Sequence, residues 1–226
     1  MPRIAHFSFP ELQLATRDAH KLRGYFGDFF REHSPLLHNH LEGGELRYAY
    51  PLVQYKVIDG VPILVGVNDG AELLLELFLQ VGELVIDGQT YALHHKDLRC
   101  QEALAGYSED LYRYRFDTLY MALNQENHAA FLRATPQQRQ QQLNMLIRNH
   151  ILAAFKGMGV WLDPQQRIMV QAELQQRQTQ FKNQRMSAFA GYFTTNALLP
   201  HWIGIGKSVS RGFGAVSLAG APVVKP

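Results

Sequence analysis

The sequence predicts an α+β fold of two ferredoxin-like (RNA-recognition-module-like) domains in tandem, the second with a degenerate second helix and a glycine-rich loop near its end. Three observations carry this. Residues 3–93 alternate strand-like and helix-like patterning in the order β-α-β-β-α-β. A strand pattern with one aromatic face opens a similar series just after Ser108. A chain of 226 residues suits one sizeable domain or two small ones, and the patterning divides it at 1–107 and 108–226.

The elements follow in order. "RIAHFSFPELQLA" alternates and predicts a strand over 3–13. Asp18 to Arg31 predicts a helix with Thr16 as N-cap and an apolar stripe of Leu22, Tyr25, Phe26 and Phe29. The polar loop "EHSPLLHNHLEGGEL" comes next, then two strands in "RYAYPLVQYKVIDGVPILVGV". "DGAELLLELFLQ" predicts a second helix, and "GELVIDGQTYAL" a hairpin turning at Asp87-Gly88.

In the second half, "LYRYRFDTLYMAL" sets Tyr112, Tyr114 and Phe116 on one side and Arg113, Arg115 and Asp117 on the other. Pro136 opens a long helix. Leu143, Leu146, Ile147, His150, Ile151, Ala154 and Phe155 fall on one side of it, and Gly157 and Gly159 stop it. Its glutamine tract "QQRQQQ" reads as an exposed helix face. "RIMVQAELQQ", "QRMSAFAGYFTTNALL" and "FGAVSLA" predict strands, with the glycine segment where a second helix would stand.

Composition narrows the function classes. Hydrophobic residues make up 46% and charged residues 19%, as in folded globular proteins. One cysteine, Cys100, excludes an intramolecular disulfide and a cysteine zinc site, so a reducing, cytoplasmic setting is expected. No apolar run approaches the ~18 residues of a membrane span, and the N-terminus has no signal-peptide core, so no membrane partner is expected. Charge is uneven: residues 1–110 hold 9 Lys and Arg against 16 Asp and Glu, while residues 111–226 hold 13 against 4. A basic half on a nearly neutral chain is what a polyanion-binding surface produces.

The segment "GIGKSVSRGFG", Gly204 to Gly214, lies in that basic half. It is not a Walker loop, because His201 stands where the first glycine is required. It is not a dinucleotide fingerprint either, because Val209 stands at the third glycine. What remains is a backbone able to approach another closely: Gly204, Gly206, Gly212 and Gly214, with Lys207 and Arg211 for charge and Ser208 and Ser210 for hydroxyls. Such a loop lies along phosphates without reading bases; the alternative is a glycine-rich turn that lets two domains pack tightly.

In "LLHNH", His38 and His40 stand two apart, and in an extended segment they point the same way, roughly 7 Å apart. Two imidazoles so placed flank one phosphodiester, one accepting a proton while the other donates. That chemistry cleaves RNA through attack by the ribose 2′-hydroxyl. Tyr48, Tyr50 and Lys56 stand nearby in sequence as proton donors or stabilisers of developing charge. A metal site on the two histidines, with Glu42 or Glu45 as third ligand, is the rival reading.

"LPHWIGIGKSVSRGFGAV" resembles the signature glycine-rich loop of the CRISPR-associated repeat-processing endoribonucleases of the repeat-associated mysterious protein (RAMP) superfamily. "LLHNHLEGGELRYAYPLVQYKV" is similar to the N-terminal active-site region of one branch, the sixth Cas type, subtype b. The resemblance implies cleavage of CRISPR precursor transcripts within their repeats to give guide RNAs. It implies no metal or other cofactor, and products with a 2′,3′-cyclic phosphate and a 5′-hydroxyl. His38 and His40 match the family's candidate catalytic histidines, Tyr48 and Tyr50 lie where the branch has tyrosines, and the glycine segment matches its RNA-contacting loop. Arg113, Arg115, Arg148 and Lys156 are candidates for RNA-backbone contacts because they lie in the basic half. CRISPR repeat RNA is the expected partner, with other Cas effector subunits and a second copy of the chain as further candidates. A non-catalytic RNA-binding subunit of an effector complex is the alternative function.

Overall fold

The computed structural model describes residues 1–29, 50–181 and 184–220. The chain divides into two compact units: Met1–Ala103 with Lys156–Gly159 and Val209–Gly212, and Leu104–Phe155 with Val160–Ser208 and Phe213 onwards.

The first unit is built on a four-stranded antiparallel sheet of β1 (Arg3–Ser8), β2 (Val53–Ile58), β3 (Val61–Val67) and β6 (Asp97–Glu102), in the order β2-β3-β1-β6. Helix α1 (Ala19–Phe29) follows β1 and helix α2 (Asp69–Phe78) follows β3. This is the ferredoxin-like order. Leu22 and Phe26 of α1 and Leu74 and Leu77 of α2 pack with Ala5, Phe7, Tyr55, Val57 and Leu64 of the sheet in one buried cluster. Phe26 stacks on Phe9 at 6.1 Å and on Tyr55 at 6.0 Å.

Three expectations are corrected here. β1 ends at Ser8 rather than running to residue 13, because Pro10 has no N–H to continue a ladder. Thr16 does not cap α1. The chain enters through a 3-10 turn, Thr16–Asp18, in which the Ala15 N–H donates to the Asp18 carboxylate at 3.3 Å. The hairpin of β4 (Glu83–Ile86) and β5 (Gln89–Ala92) turns at Asp87-Gly88 as expected, both residues having positive φ, yet it forms a sheet of its own. The fourth strand of the main sheet is β6, whose polar sequence "DLRCQE" pairs with β1 from Arg3↔Glu102 to Ser8↔Asp97.

The second unit repeats the order on β7 (Gly106–Phe116), β8 (Val170–Phe181), β9 (Gln184–Leu198) and β10 (Val216–Leu218), arranged β10-β7-β9-β8. Between β7 and β8 stand two helices, α3 (Gln125–Arg133) and α4 (Pro136–Gly157). The sequence reading missed α3, which Asn124 and Asn127 cap reciprocally at 2.7 and 2.8 Å. An asparagine at the third helical position hides the usual Ser/Thr-x-x-Glu signal. Helix α4 starts at Pro136 as expected and buries Leu143, Ile147, Ile151, Ala154 and Phe155.

Part of the glutamine tract is structural rather than a solvated face. Gln140 Nε2 donates to the Ala172 carbonyl at 2.7 Å, and the Ala172 N–H donates to Asn144 Oδ1 at 2.9 Å. The two amides thereby satisfy the edge of β8 at Ala172. Between β9 and β10 the described residues form only a 3-10 turn, Val209–Arg211, so the second helix is degenerate as expected.

Alternation along the strands separates the two faces of this sheet. Tyr114, Phe116, Phe189 and Phe193 are buried on the face where Phe131 of α3 meets Phe189 at 5.7 Å. Arg113, Arg115, Gln171, Glu173 and Tyr192 occupy the other.

Candidate nucleic-acid interface and active-site residues

His38, His40 and Tyr48, with the metal-ligand candidates Glu42 and Glu45, lie outside the described residues. Tyr50 and Lys56 lie within them, and burial changes what they can do. The half-buried Tyr50 hydroxyl accepts from Gln54 Nε2 at 2.9 Å, and desolvation raises its phenol pKa well above the usual range. Strand alternation puts Gln54 and Lys56 of β2 on the face opposite Tyr55, which belongs to the aromatic core.

Lys56 has no exposed surface, and its Nζ has no hydrogen-bond partner among the described residues. Burial lowers its pKa from 10.5 to about 7. The amine therefore titrates near neutrality but does not reach solvent.

The glycine segment is packed rather than loose. Ile205 N–H donates to the Gly214 carbonyl at 2.9 Å, and Lys207 N–H to the Met121 carbonyl at 3.0 Å. Ile203, Ile205 and Val209 are buried. Two of the glycines are required by close approach. A Cβ on Gly206 (φ +103°) would lie 2.6 Å from Tyr120 Cε2, and one on Gly214 (φ +69°) would lie 1.9 Å from the Ile205 carbonyl oxygen. Gly204 forms a bridge with Ala215. The backbone of the segment is thus closely packed, while Lys207, Ser208, Ser210 and Arg211 keep half-buried side chains.

Residues Val209–Gly212 cluster with the first unit, where Gly212 lies against Ala19 at the start of α1. There Arg211 comes near Arg23 of α1; burial, and then the charge of Arg23, lower the Arg211 pKa. Two guanidiniums held near each other form a local anion-attracting field. Sequence reading missed Arg23, because a single arginine on an amphipathic helix gives no signal.

Inside the second unit Lys207 has a companion. His150 of α4 shares a 2.7 Å hydrogen bond between its Nδ1 and the Tyr120 hydroxyl. Burial, and then the charge of Lys207, lower the His150 pKa to about 4, so the imidazole is neutral at pH 7. The sequence placed His150 on the buried side of its helix but gave no sign of Tyr120 as its partner.

The remaining basic candidates lie on β7 and α4, Arg113 and Arg115 on one face of β7. Arg113 pairs with Glu173 at 2.6 Å and lies over the Tyr192 ring at 4.6 Å, and Arg115 pairs with Asp117 at 2.7 Å. Arg148 and Lys156 are exposed on α4. Among the described residues, no group of three metal-ligating side chains forms a cluster, and no helix is long and apolar enough to cross a membrane.

Two ferredoxin-like sheets, with a glycine loop that fixes Lys207 and Arg211, define a tandem RNA-recognition-type α+β protein. Comparison with known proteins narrows this. The Cas6b N-terminal domain model matches residues 3–103 and the Cas6b C-terminal domain model residues 106–219. A crystal structure of Cas6b superimposes with a TM-score of 0.91 at 30% identity, over 96% of this chain and 99% of that one. A crystal structure of the CRISPR RNA processing endoribonuclease Cas6b follows at 0.78 and 28%, over 97% and 100%. An uncharacterized protein of Methanocaldococcus jannaschii is 24% identical over 141 residues, 62% of this chain and 95% of that protein. The chain belongs to the Cas6b family.

Proposed function

We propose that this protein is an endoribonuclease that cleaves CRISPR precursor transcripts within their repeats to give guide RNAs. One observation carries the reading: the likeness to Cas6b extends over 96% of the chain at a TM-score of 0.91. The step is metal-independent. The ribose 2′-oxygen forms a bond to the adjacent phosphorus, and the bond from phosphorus to the 5′-oxygen breaks. Of His38 and His40, one takes the 2′-hydroxyl proton as general base and the other protonates the departing 5′-oxygen. The products carry a 2′,3′-cyclic phosphate and a 5′-hydroxyl. Tyr48 stands beside the histidines in sequence. Tyr50 and the buried Lys56 serve as proton donors or stabilisers of developing charge, while Lys207, Ser208, Ser210 and Arg211 hold the RNA backbone.

The experiment incubates repeat RNA with the protein in excess chelator and identifies the product ends. Cleavage with cyclic-phosphate ends is expected, and replacing both histidines (His38→Ala with His40→Ala) lowers the rate by roughly 10²–10⁴-fold while RNA still binds. Binding without cleavage by the unaltered protein makes it a non-catalytic RNA-binding subunit. Cleavage only on adding a divalent metal moves the chemistry to a metal site.

A further inference from the structure

The face of the second sheet turned away from α3 and α4 carries a group that neither the glycine loop nor the histidine pair uses. Strand register sets Arg115, Tyr192 and Glu173 in one row across β7, β9 and β8, and Arg113, Thr194 and Gln171 in the next. Gln175 and Arg177 continue the same face along β8. The Arg113 guanidinium lies over the Tyr192 ring at 4.6 Å and is held there by Glu173 at 2.6 Å. Ring and guanidinium are thereby pre-oriented, and ordering them costs an arriving ligand little.

We propose that this face binds unpaired nucleotides of RNA, with a base stacking on the Tyr192–Arg113 pair. The proposal rests on the RNA-processing reading above and adds a second place at which the strand is held. Charge complementarity selects the occupant. In the two register rows and along β8 to Arg177, Arg113, Arg115 and Arg177 stand with one exposed carboxylate, Glu173. The Asp117 side chain is only 2% exposed, and Glu109 and Asp110 lie in the β7 irregularity between Tyr107 and Tyr112. Planarity selects it further, because unstacked bases are taken up on aromatic rings and on arginine planes. The amide oxygens of Gln171 and Gln175 accept from Asn144 and Arg177, which leaves their NH2 groups as donors beside the stack. A protein partner fits the face poorly. Tyr192, 37% exposed, is the one exposed large apolar side chain there among the described residues, too little for the apolar core of a protein interface.

The test measures binding of the full-length protein to an unstructured oligouridine and to repeat RNA bearing a 2′-deoxy substitution at the scissile position. Tyr192→Ala is expected to weaken binding by about 5- to 150-fold, with Tyr192→Phe and Tyr192→Trp within about twofold of the unaltered protein. Ultraviolet crosslinking of the unaltered protein is expected to attach RNA to the Tyr192 peptide, an arm that does not depend on how the variant folds. Unchanged affinity in Tyr192→Ala, or crosslinks confined to other peptides, overturns the proposal and leaves the nuclease reading intact. A protein that binds neither RNA overturns both. Dimerisation that depends on Tyr192, without RNA contact, also overturns it by making the face a protein interface.

Discussion

In the first unit, the sheet face turned away from α1 and α2 carries Gln54 and Lys56, both fully buried. In the second unit, the matching face carries Arg113, Arg115, Glu173 and Tyr192, each with substantial exposure. Both sheets have the same strand order, so the difference is one of use rather than of topology. A cation inside the protein without a hydrogen-bonded partner opposes folding, whereas paired cations at the surface are nearly neutral to it. The first face therefore holds an amine whose protonation opposes folding, and the second displays charge at little cost.

The largest expected effect tests that buried amine. Lys56 has a folded-state pKa of about 7 against 10.5 when unfolded. Above pH 10.5 the amine is neutral in both states and costs nothing. As pH falls from 10.5 to 7 the unfolded chain alone takes up the proton, and stability drops by about 1.4 kcal/mol per pH unit, on the order of 4–5 kcal/mol in all. Lys56→Met is expected to be more stable than the unaltered protein at pH 7 and to lose that slope. Urea midpoints recorded from pH 7 to 10.5 check both; parallel curves for the two proteins would break the contrast.

The second unit has its own buried titrating group, with a smaller effect at the acid end. His150 is lowered to about 4 from 6.5, first by burial and then by Lys207. Stability from its neutral form is present above pH 6.5 and is lost as pH falls through 4, by about 3 kcal/mol. His150→Gln is expected to flatten the urea midpoint between pH 6.5 and 4. It leaves the alkaline slope of Lys56 untouched, so each unit reports separately.

Glycines sharpen the comparison at the next level down. Gly214→Ala forces a Cβ to 1.9 Å from a backbone carbonyl at positive φ, and about 3 kcal/mol of destabilisation is expected. Gly88→Ala in the β4–β5 turn also has positive φ but nothing within 4 Å, so about 1 kcal/mol is expected. Thermal melting of the two variants measures the difference. Equal losses would mean that the glycine segment is not sterically fixed.

The sequence made the strand and helix order legible because buried faces leave a period of two or of 3.6. It identified α4 through Pro136 and its apolar side, and the β4–β5 turn through Asp87-Gly88. It missed β6, whose residues are mostly exposed and whose place is set by backbone pairing with β1, which leaves no side-chain pattern. It ruled a nucleotide loop out of Gly204–Gly214 from spacing alone, but the packing of Gly206 against Tyr120 depends on residues far apart in the chain. Lys56 was singled out for its position near the histidines. Its burial follows from strand alternation combined with a covered second face, and one sequence does not disclose that cover.

The smallest effect on stability concerns the exposed face. Arg113 and Glu173 are 42% and 51% exposed, so solvent screens their pair, and a double-mutant cycle is expected to give about 0.2–1 kcal/mol. Raising salt lowers that coupling further. A pair worth so little to folding still sets the charge of the face proposed to bind RNA. Glu173→Gln removes the one exposed carboxylate facing Arg113 while keeping a group that can hold the guanidinium over Tyr192. Its melting temperature is expected to stay close to that of the unaltered protein while its RNA affinity rises severalfold at low salt. Unchanged affinity would mean that the strand does not cross this face. A fall in affinity would mean that Glu173 acts mainly by keeping Arg113 and Tyr192 stacked.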